Sequence, residues 1–469
     1  MTDTNLAIIG AGPAGMAAAA TAAETGLTVT LLDEQKRLGG QIYRDIERVN
    51  ELRAAVLGKD YMAGLTLVDG LADADISYVP DATVWQADEQ GQISYSVDGA
   101  AKQITADRIL IATGALERPV PIPGWTLPGV MMAGAGQILL KQSGIFAKRA
   151  VVVGAGPLLY LIAAQMVRAG TPPLAVVETQ TTQNLLEAQK YLPGALSGWR
   201  YLAKGLGLIA ELRRAGVKRY KAATNLAIKG KDQAQALVFD CRGKSERIDC
   251  DTVFLHMGVV PNTQLSRAMN LAHEWDTTQL CFRPVTDKWG ASSSERVFIA
   301  GDGAGISGAK SAEIAGRIAS LRIAKELGRI DAADFQRRSQ PFQRALSKER
   351  AIRPFLDTAF PPAKDILTPQ NDTIVCRCEE VTAADIRRYA AMGCDGPNQT
   401  KAFGRPGMGP CQGRYCGLTV SMLLAEANKR SPQDTGYYRI RPPIKPLTLG
   451  ELAQLDENTQ DERKELELG

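Results

Sequence analysis

Residues 8–15 read Ile8-Ile9-Gly10-Ala11-Gly12-Pro13-Ala14-Gly15, the end of an apolar strand followed by a glycine-rich turn and a helix of small residues. In such a turn Gly10 permits the sharp bend, Gly12 lets the backbone approach a pyrophosphate, and Gly15 lets the helix pack closely on the sheet. Pro13 suits the first helical turn. The pattern predicts a dinucleotide across this unit, with its pyrophosphate at the positive end of the helix. The expected contacts are Gly10, Gly12, Pro13, Ala14 and Gly15.

The next strand, Val29 to Leu32, ends in two acids. In a unit of this kind, an acid at this position binds the ribose hydroxyls of the nucleotide. Counting from the glycines favours Asp33, but a shift of the strand end by one residue would give the role to Glu34. Both are therefore candidates.

The composition is that of a globular α/β protein whose partners are small molecules and proteins. The chain has 469 residues, of which 45% are hydrophobic and 45 are glycines, and this length corresponds to roughly three domains. The net charge of +4, from 55 basic and 51 acidic residues, gives no electrostatic reason to expect binding to nucleic acid or membrane. No apolar run approaches the ~18 residues of a transmembrane segment. We expect a cytoplasmic protein whose eight cysteines are reduced or metal-bound rather than paired in disulfides.

The strand-turn-helix theme occurs again from Ala150 to Pro157, with Glu178 after the next strand. Leu159 stands where the third glycine is expected, which should hold the helix further from the sheet. Two interpretations stay open here: nucleotide binding, and a fold retained with a lost or altered site. The later strand Val297 to Ala300 is assigned to the first unit, because its acid-bearing turn Gly301-Asp302 suits a flavin there. The second unit is then inserted in the first.

Further segments are candidates for contact with the nucleotide. Val84 follows a turn and could lay its backbone beside an adenine ring, although an ordinary sheet residue is an equally good interpretation. A buried strand ends in the turn Ala112-Thr113-Gly114, and a helix is expected from about Ala309. Together with Gly301 and Asp302, these residues predict flavin-side contacts that a nicotinamide site would not need.

Four cysteines near the C-terminus predict a metal centre: Cys376, Cys378, Cys411 and Cys416. Four thiolates need a positive centre, and the two candidates are zinc and an iron-sulfur cluster. Structural zinc usually takes pairs spaced C-x2-4-C, and the single residue between Cys376 and Cys378 is short for that, so iron-sulfur is favoured. The glycines around Cys411 and Cys416 would let backbone N–H groups turn toward cluster sulfurs. The remaining cysteines are interpreted as small apolar core residues, namely Cys241, Cys250, Cys281 and Cys394.

Two segments are expected to lie outside the folded units. Pro354, Pro361, Pro362 and Pro369 predict that regular structure breaks up between Gln340 and Pro369. The charged segment from Asp456 to Gly469 is expected to fray.

Longer motifs resemble one family, the α (A) subunits of heteromeric FAD-linked amine dehydrogenases, which include opine oxidase, D-hydroxyproline dehydrogenase and hydrogen cyanide synthase. The matching motifs span most of the chain. They are Asp33-Glu34-Gln35, Gly39-Gly40-Gln41-Ile42-Tyr43-Arg44, Ala112-Thr113-Gly114 through Glu117-Arg118-Pro119, Cys376-Arg377-Cys378-Glu379 and Gly407-Met408-Gly409-Pro410-Cys411-Gln412-Gly413-Arg414.

The resemblance implies an α/β chain with two Rossmann-like domains of disulfide-reductase type, the second inserted in the first, and a small C-terminal domain with a two-iron two-sulfur cluster. It adds Gln35, Gly40 and Gln41 to the FAD contacts. It also implies a separate β subunit that carries the amine-oxidising flavin, and it allows a small third subunit. Some relatives hold a different nucleotide in this subunit, with an FMN at the subunit boundary.

The expected division has five parts. They are an FAD-binding domain (1–118 and 280–335), a degenerate second nucleotide-binding domain (119–279), a linker (336–370), an iron-sulfur domain (371–430) and a tail (431–469).

The leading hypothesis is an electron-transferring subunit of a dehydrogenase for a small secondary amine or imino acid, of opine or hydroxyproline type. The alternatives are a stand-alone NAD(P)H-dependent flavin reductase, a subunit of a hydrogen cyanide synthase that acts on glycine, and a non-catalytic scaffold with a structural metal. His256 and His273 are the only histidines. Neither lies beside a recognisable nucleophile or acid, so no catalytic residue is assigned. His256 is interpreted as a core or strand-end histidine that could also approach a flavin.

Overall fold

The glycine-rich turn folds as residues 8–15 predict. In the computed structural model, which describes residues 3–455, an almost entirely buried strand precedes the turn and an 11-residue helix follows it. Because this helix is apolar on all faces, it is buried against the sheet and against a later helix. The elements of this part are β1 (Thr4–Ile9), α1 (Pro13–Ala23), β2 (Val29–Leu32), α2 (Glu51–Leu57), α3 (Lys59–Met62), α4 (Leu65–Ala72), β3 (Ser77–Val79), β4 (Thr83–Ala87), β5 (Gln92–Val97) and β6 (Ala100–Ile111).

Strand β6 connects the two halves of the first sheet. Its first half pairs antiparallel with β5, and its second half pairs parallel with β1. The strands lie in the order β3-β2-β1-β6-β5-β4. The antiparallel strand predicted at Gln92 to Val97 is confirmed as β5.

The second strand-turn-helix unit is confirmed, and it organises a separate parallel sheet in the order β11-β10-β9-β15-β8. Leu159 is fully buried among the residues between its helix and that sheet. The elements of this part are β7 (Ala115–Glu117), β8 (Val130–Met132), α5 (Ala133–Ser143), β9 (Ala150–Ala155), α6 (Pro157–Arg168), β10 (Ala175–Glu178), α7 (Thr182–Ala188), α8 (Leu192–Ser197), α9 (Trp199–Arg214), β11 (Lys218–Tyr220), β12 (Thr224–Gly230), β13 (Ala234–Cys241), β14 (Lys244–Asp249), β15 (Thr252–Met257) and β16 (Val259–Pro261).

The chain then returns to the first sheet, as predicted. The strand Val297–Ile299 pairs parallel with β6, and a helix of 18 residues beginning at Ala309 packs along α1. There the Ser320 hydroxyl donates to the Ala18 carbonyl over 2.8 Å. The elements of this part are α10 (Gln264–Ala268), β17 (His273–Asp276), β18 (Cys281–Pro284), β19 (Val297–Ile299), α11 (Ala309–Glu326), α12 (Ala332–Arg350), α13 (Arg353–Ala359) and α14 (Lys364–Leu367).

The prediction that regular structure breaks up from Gln340 was wrong. Helix α12 continues through Pro341 to Arg350, and α13 and α14 follow. Pro354 lies in the first turn of α13, where a missing N–H costs little. Leu346 of α12 is buried against α11, so tertiary packing outweighs the hydrogen bond that Pro341 removes. No helix within residues 3–455 is both long and apolar enough to cross a membrane.

The C-terminal part packs on the first sheet. Its elements are β20 (Ile374–Cys376), β21 (Val381–Thr382), α15 (Ala383–Ala391), α16 (Pro397–Gly404), α17 (Gly417–Ala427) and α18 (Pro432–Thr435). Beyond α18, Tyr438, Ile440 and Ile444 are buried in the same core as Val84. The Ile444 amide donates to the Trp85 carbonyl over 2.9 Å. The described part of the expected tail is therefore folded onto the molecule, and the segment from Asp456 onward lies outside the described residues.

Candidate functional site

The turn between β1 and α1 is shaped for close backbone contacts. Gly10 has a φ of 109°, and a Cβ on Gly15 would lie 1.8 Å from the Gly10 carbonyl oxygen, so both positions require glycine. In contrast, a Cβ on Gly12 would meet only the Cα of Gly40, at 3.9 Å. No side chain caps the N-terminus of α1. Its free N–H groups and the open space at Gly12 suit a pyrophosphate.

The two acids after β2 have different surroundings. Asp33 is buried, and its carboxylate accepts from the Ala11 amide over 2.5 Å and from the Gln35 amide over 2.7 Å. Burial raises the pKa of Asp33 although both amides act to lower it. The Glu34 side chain is half-exposed and pairs with Lys445 over 2.5 Å. Asp33 thus fixes the glycine-rich turn, Glu34 is the more exposed of the two acids, and the choice between them as the ribose ligand stays a prediction.

Exchanging each acid for its amide should separate these roles. Asp33→Asn is expected to lower the free energy of unfolding by about 1–3 kcal/mol, because the asparagine side chain cannot accept from both the Ala11 and the Gln35 N–H groups as the carboxylate does. Glu34→Gln should leave the melting temperature unchanged and weaken FAD binding about tenfold. Thermal denaturation and titration of the apoprotein with FAD measure both effects. Weakened FAD binding at full stability in Asp33→Asn would instead make Asp33 the ribose ligand.

The flavin-side candidates meet on the other side of the glycine-rich turn. A Cβ on Gly10 would lie 2.6 Å from the Ala112 carbonyl oxygen, and one on Gly301 would lie 2.9 Å from the Ala14 Cβ. The Thr113 hydroxyl is buried and has no hydrogen-bond partner among the described residues, which is the state expected of a group that binds a ligand. Asp302 accepts from the Ser307 and Gly308 amides over 2.8 and 2.9 Å, just before Ala309 begins α11. These residues fit an FAD.

Val84 is a buried residue of β4, paired with Tyr95. Its side chain contributes to the core, as the ordinary interpretation expects. Contact between its backbone and an adenine stays a prediction.

Sequence reasoning missed Lys141, which lies beside the Gly39 to Arg44 motif. Its ammonium donates to the Gln41 carbonyl over 2.9 Å and lies 5.7 Å from the Tyr61 ring centre. Burial, together with repulsion from Arg44, lowers the pKa of Lys141 to about 7. Because a lysine on an amphipathic helix normally faces water, the sequence carries no signal for this contact.

In the second strand-turn-helix unit, the acid after the strand and the space beside the turn are taken up by other side chains of the protein. Glu178 is buried and forms an ion pair with Arg219 over 2.5 Å. Nδ1 of His256 lies 2.7 Å from the Glu117 carboxylate, and Nε2 of its imidazole would lie 3.4 Å from a Cβ on Gly156. The acid that could bind a ribose is therefore paired with a guanidinium, and an imidazole lies against the turn. This geometry favours a retained fold over an open nucleotide site.

His273, the other histidine, belongs to the core. Its ring nitrogens lie 2.9 Å from the Ser266 hydroxyl and 2.7 Å from the Leu271 carbonyl oxygen. Burial lowers its pKa to about 3, so the ring is neutral at ordinary pH. Cys241, Cys250, Cys281 and Cys394 are all buried, as expected of core residues.

The four cysteines of the C-terminal part converge in two pairs, Cys376 with Cys416 and Cys378 with Cys411. The hydrogen bond from Cys416, with the amides of Gly407, Glu379 and Cys378, lowers the pKa of Cys376 to about 6. No set of three His, Cys, Asp or Glu side chains that could hold one metal ion occurs within residues 3–455.

The surroundings of these thiols fit an iron-sulfur cluster. A Cβ on Gly409 would lie 2.3 Å from the Cys378 Cβ, and Cβ atoms on Gly407 and Gly413 would lie 2.6 and 2.7 Å from the Tyr438 ring. The buried Tyr438 hydroxyl lies beside the Cys416 thiol and the Thr400 side chain. Four thiols, amides directed at sulfur and a neighbouring hydroxyl are the groups that hold and tune such a cluster.

Two hydrogen bonds connect the flavin-side turn to the cysteine loop. The Asn262 amide donates to the Gly114 carbonyl over 3.0 Å. Two residues later, the Gln264 side chain donates to the Gln412 carbonyl over 3.0 Å. Gln412 adjoins Cys411, so the candidate flavin and cluster sites are neighbours in the folded chain.

The comparisons with known proteins agree with this architecture. Residues 4–326 match the model of the pyridine nucleotide-disulphide oxidoreductase family, and residues 370–455 match the sarcosine oxidase A3 domain. The A subunit of opine oxidase from Rhizobium meliloti is 42% identical over 96% of this chain and 87% of its own length. Hydrogen cyanide synthase subunit HcnB from Pseudomonas protegens is 32% identical over 94% of this chain and 96% of its own.

A solved structure with the same fold is L-proline dehydrogenase from P. horikoshii. It superposes with a TM-score of 0.68 at 17% identity, over 96% of this chain and 79% of that one. The likeness covers the C-terminal part as well as the two sheets, and it confirms the predicted α/β fold with disulfide-reductase-type Rossmann units.

Proposed function

Since this chain belongs to the pyridine nucleotide-disulphide oxidoreductase family and to the group that contains the A subunit of opine oxidase, we propose that it is the electron-transferring subunit of a heteromeric dehydrogenase. The complex oxidises a secondary amine or imino acid of opine or hydroxyproline type. Its β subunit carries the amine-oxidising flavin, and the complex is compatible with an FMN at the subunit boundary and with a small third subunit. We further propose an FAD-binding domain formed by residues 1–118 and 280–335, a second nucleotide-binding domain of residues 119–279 and an iron-sulfur domain of residues 371–430.

The observation that carries this proposal is the adjacency of the flavin-side turn and the cysteine loop through Asn262 and Gln264. FAD supplies two-electron chemistry, and a two-iron two-sulfur cluster accepts one electron at a time. In this chain the turn at Gly12 binds the pyrophosphate, Glu34 binds the ribose, and Thr113 and Asp302 orient the flavin side. Cys376, Cys378, Cys411 and Cys416 hold the cluster.

The chain offers its β subunit an apolar surface for docking. Pro361 and Pro362 are half-buried, whereas residues 441–443 are exposed between buried Ile440 and Ile444. Exposed apolar side chains also lie on α7 to α9, where Leu196, Trp199 and Leu206 are more than half exposed. Exposed apolar side chains grouped in this way favour contact with another protein.

Comparing the purified chain with the co-purified complex tests the proposal. The chain with its cofactors should give no turnover of opines, hydroxyproline isomers, proline, sarcosine or glycine with an artificial electron acceptor, whereas the complex should oxidise at least one. Turnover by the chain alone at the rate of the complex would contradict the proposal. Rapid reduction of the chain's flavin by NADH or NADPH would favour the stand-alone reductase, which the Glu178–Arg219 and His256–Glu117 pairs argue against.

A further inference from the structure

A cavity of about 340 Å³ lies behind the Gly301–Asp302 turn. Its walls come from the loop 286–290, the turn 304–307, and the facing sides of α11, α12 and α13. Gly301 is the one candidate nucleotide contact that lines this cavity. The cavity is therefore distinct from the groove at the glycine-rich turn. Its volume is within the range of small-molecule sites.

Basic side chains dominate the cavity. Arg283, Lys288, Arg350 and Arg353 line it, together with Asp276 and Asp287. Asp276 forms an ion pair with Arg283 over 3.4 Å, whereas Asp287 accepts from the Trp289 and Ala291 amides and has no ion pair among the described residues. Arg283 and Arg353 are ion-paired, so the unpaired charges of the lining are two cations, Lys288 and Arg350, and one acid, Asp287.

The four cations differ in how they are held. Arg283 pairs with Glu274 over 2.7 Å, Arg353 pairs with Asp357, and Lys288 lies 4.9 Å from the Trp289 ring centre. The Arg350 guanidinium, at the end of α12, has no hydrogen bond or ion pair with any described residue. Its charge interacts with the Asp302 carboxylate and is repelled by Arg283. Arg350 and Lys288 are thus the cations without an ion pair, and of the two Arg350 offers the paired N–H donors of a guanidinium.

We propose that this cavity binds a small molecule through an anionic group, a carboxylate or a phosphate, with Arg350 as the principal ligand and Arg283 and Arg353 on either side. A guanidinium offers paired N–H donors that match two oxygens of either anion. Trp289, Ile318 and Leu346 line the same cavity and offer an apolar wall to the rest of the molecule. The proposal does not depend on the function proposed above.

The anion could belong to a mononucleotide or to an amino-acid-like substrate, and two probes distinguish these sources. FMN presents a phosphate, and iminodiacetate presents two carboxylates on a secondary amine. Calorimetric titration of the full-length protein with each probe, at low and at moderate salt, should give about one site per chain for at least one of them. Arg350→Gln should weaken that binding about tenfold or more, since a charge-assisted bidentate contact is lost.

Arg344→Gln is the matched control, because Arg344 is an exposed residue of the same helix that does not line the cavity. Its affinity should stay within about twofold of the parent. Binding of FMN alone would identify a phosphate ligand, binding of iminodiacetate alone a carboxylate ligand, and mutual competition a site that takes either. If Arg350→Gln lowers the melting temperature, Lys288→Gln takes its place as the test variant. No binding of either probe, or equal weakening in Arg344→Gln, would overturn the proposal.

Discussion

Replacing Cys416 with serine is expected to remove iron and sulfide from the purified protein, from about two of each per chain to almost none. Cys416 is buried just before α17 and pairs with Cys376, and a serine hydroxyl is a poor ligand for iron in place of a thiolate. The visible absorption that the cluster adds to that of the flavin should disappear with it. Iron by elemental analysis, acid-labile sulfide and the absorption spectrum give three independent measurements.

Cys394→Ser is the matched control for this experiment. Cys394 is also buried in the C-terminal part, but its thiol interacts with none of the four thiols of the two pairs, and its backbone carbonyl accepts a hydrogen bond from Asn428. This variant should keep its iron and sulfide even if its stability falls. Zinc without sulfide in the parent protein would contradict the iron-sulfur assignment, and so would full iron content in Cys416→Ser.

The first sheet could be predicted because its decisive contacts are short-range and steric. Gly10 and Gly15 must lack a side chain for α1 to follow β1 so closely, and this requirement can be read from their spacing. The return of Val297–Ile299 to β6 could be inferred from one acid-bearing turn. Spacing alone fixes the contacts of the two glycines, without knowledge of the rest of the chain.

The choice between Asp33 and Glu34 could not be made from the sequence. The choice depends on which face of the sheet each carboxylate points to at the end of β2. A shift of the strand end by one residue exchanges the two faces. The structure gives them different surroundings through contacts that are distant in sequence, since Lys445 pairs with Glu34 from the far end of the chain. The Glu178–Arg219 pair is likewise formed by residues on separate strands.

The error from Gln340 onward has a different cause. Proline is a strong local signal against helix. The cost of Pro341 to the stability of α12 is about 3 kcal/mol, and the buried contacts of α12 with α11 offset it. The cysteines illustrate the same limit of local reasoning. Their sequence spacing groups Cys376 with Cys378, whereas the fold pairs Cys376 with Cys416 and Cys378 with Cys411.

Gly12→Val is expected to abolish nucleotide binding while leaving the chain folded. The φ of Gly12 is −76°, which any residue adopts, and a Cβ there meets no protein atom closer than 3.9 Å, so the backbone accepts a side chain. The valine methyl groups would instead occupy the path of the pyrophosphate, and a clash of about 3 kcal/mol or more corresponds to a loss of affinity above about 100-fold.

The position of the substitution is what makes this test informative. Gly15→Ala would place a methyl group 1.8 Å from the Gly10 carbonyl oxygen, so loss of nucleotide there would only reflect a disrupted turn. Gly70→Val in α4 is the control, because a Cβ on Gly70 meets nothing within 4 Å. The adenine nucleotide released on denaturation should fall from about one per chain to below about a tenth in Gly12→Val and stay unchanged in Gly70→Val. Full nucleotide content in Gly12→Val, at an unchanged melting temperature, would mean that the pyrophosphate does not cross this turn.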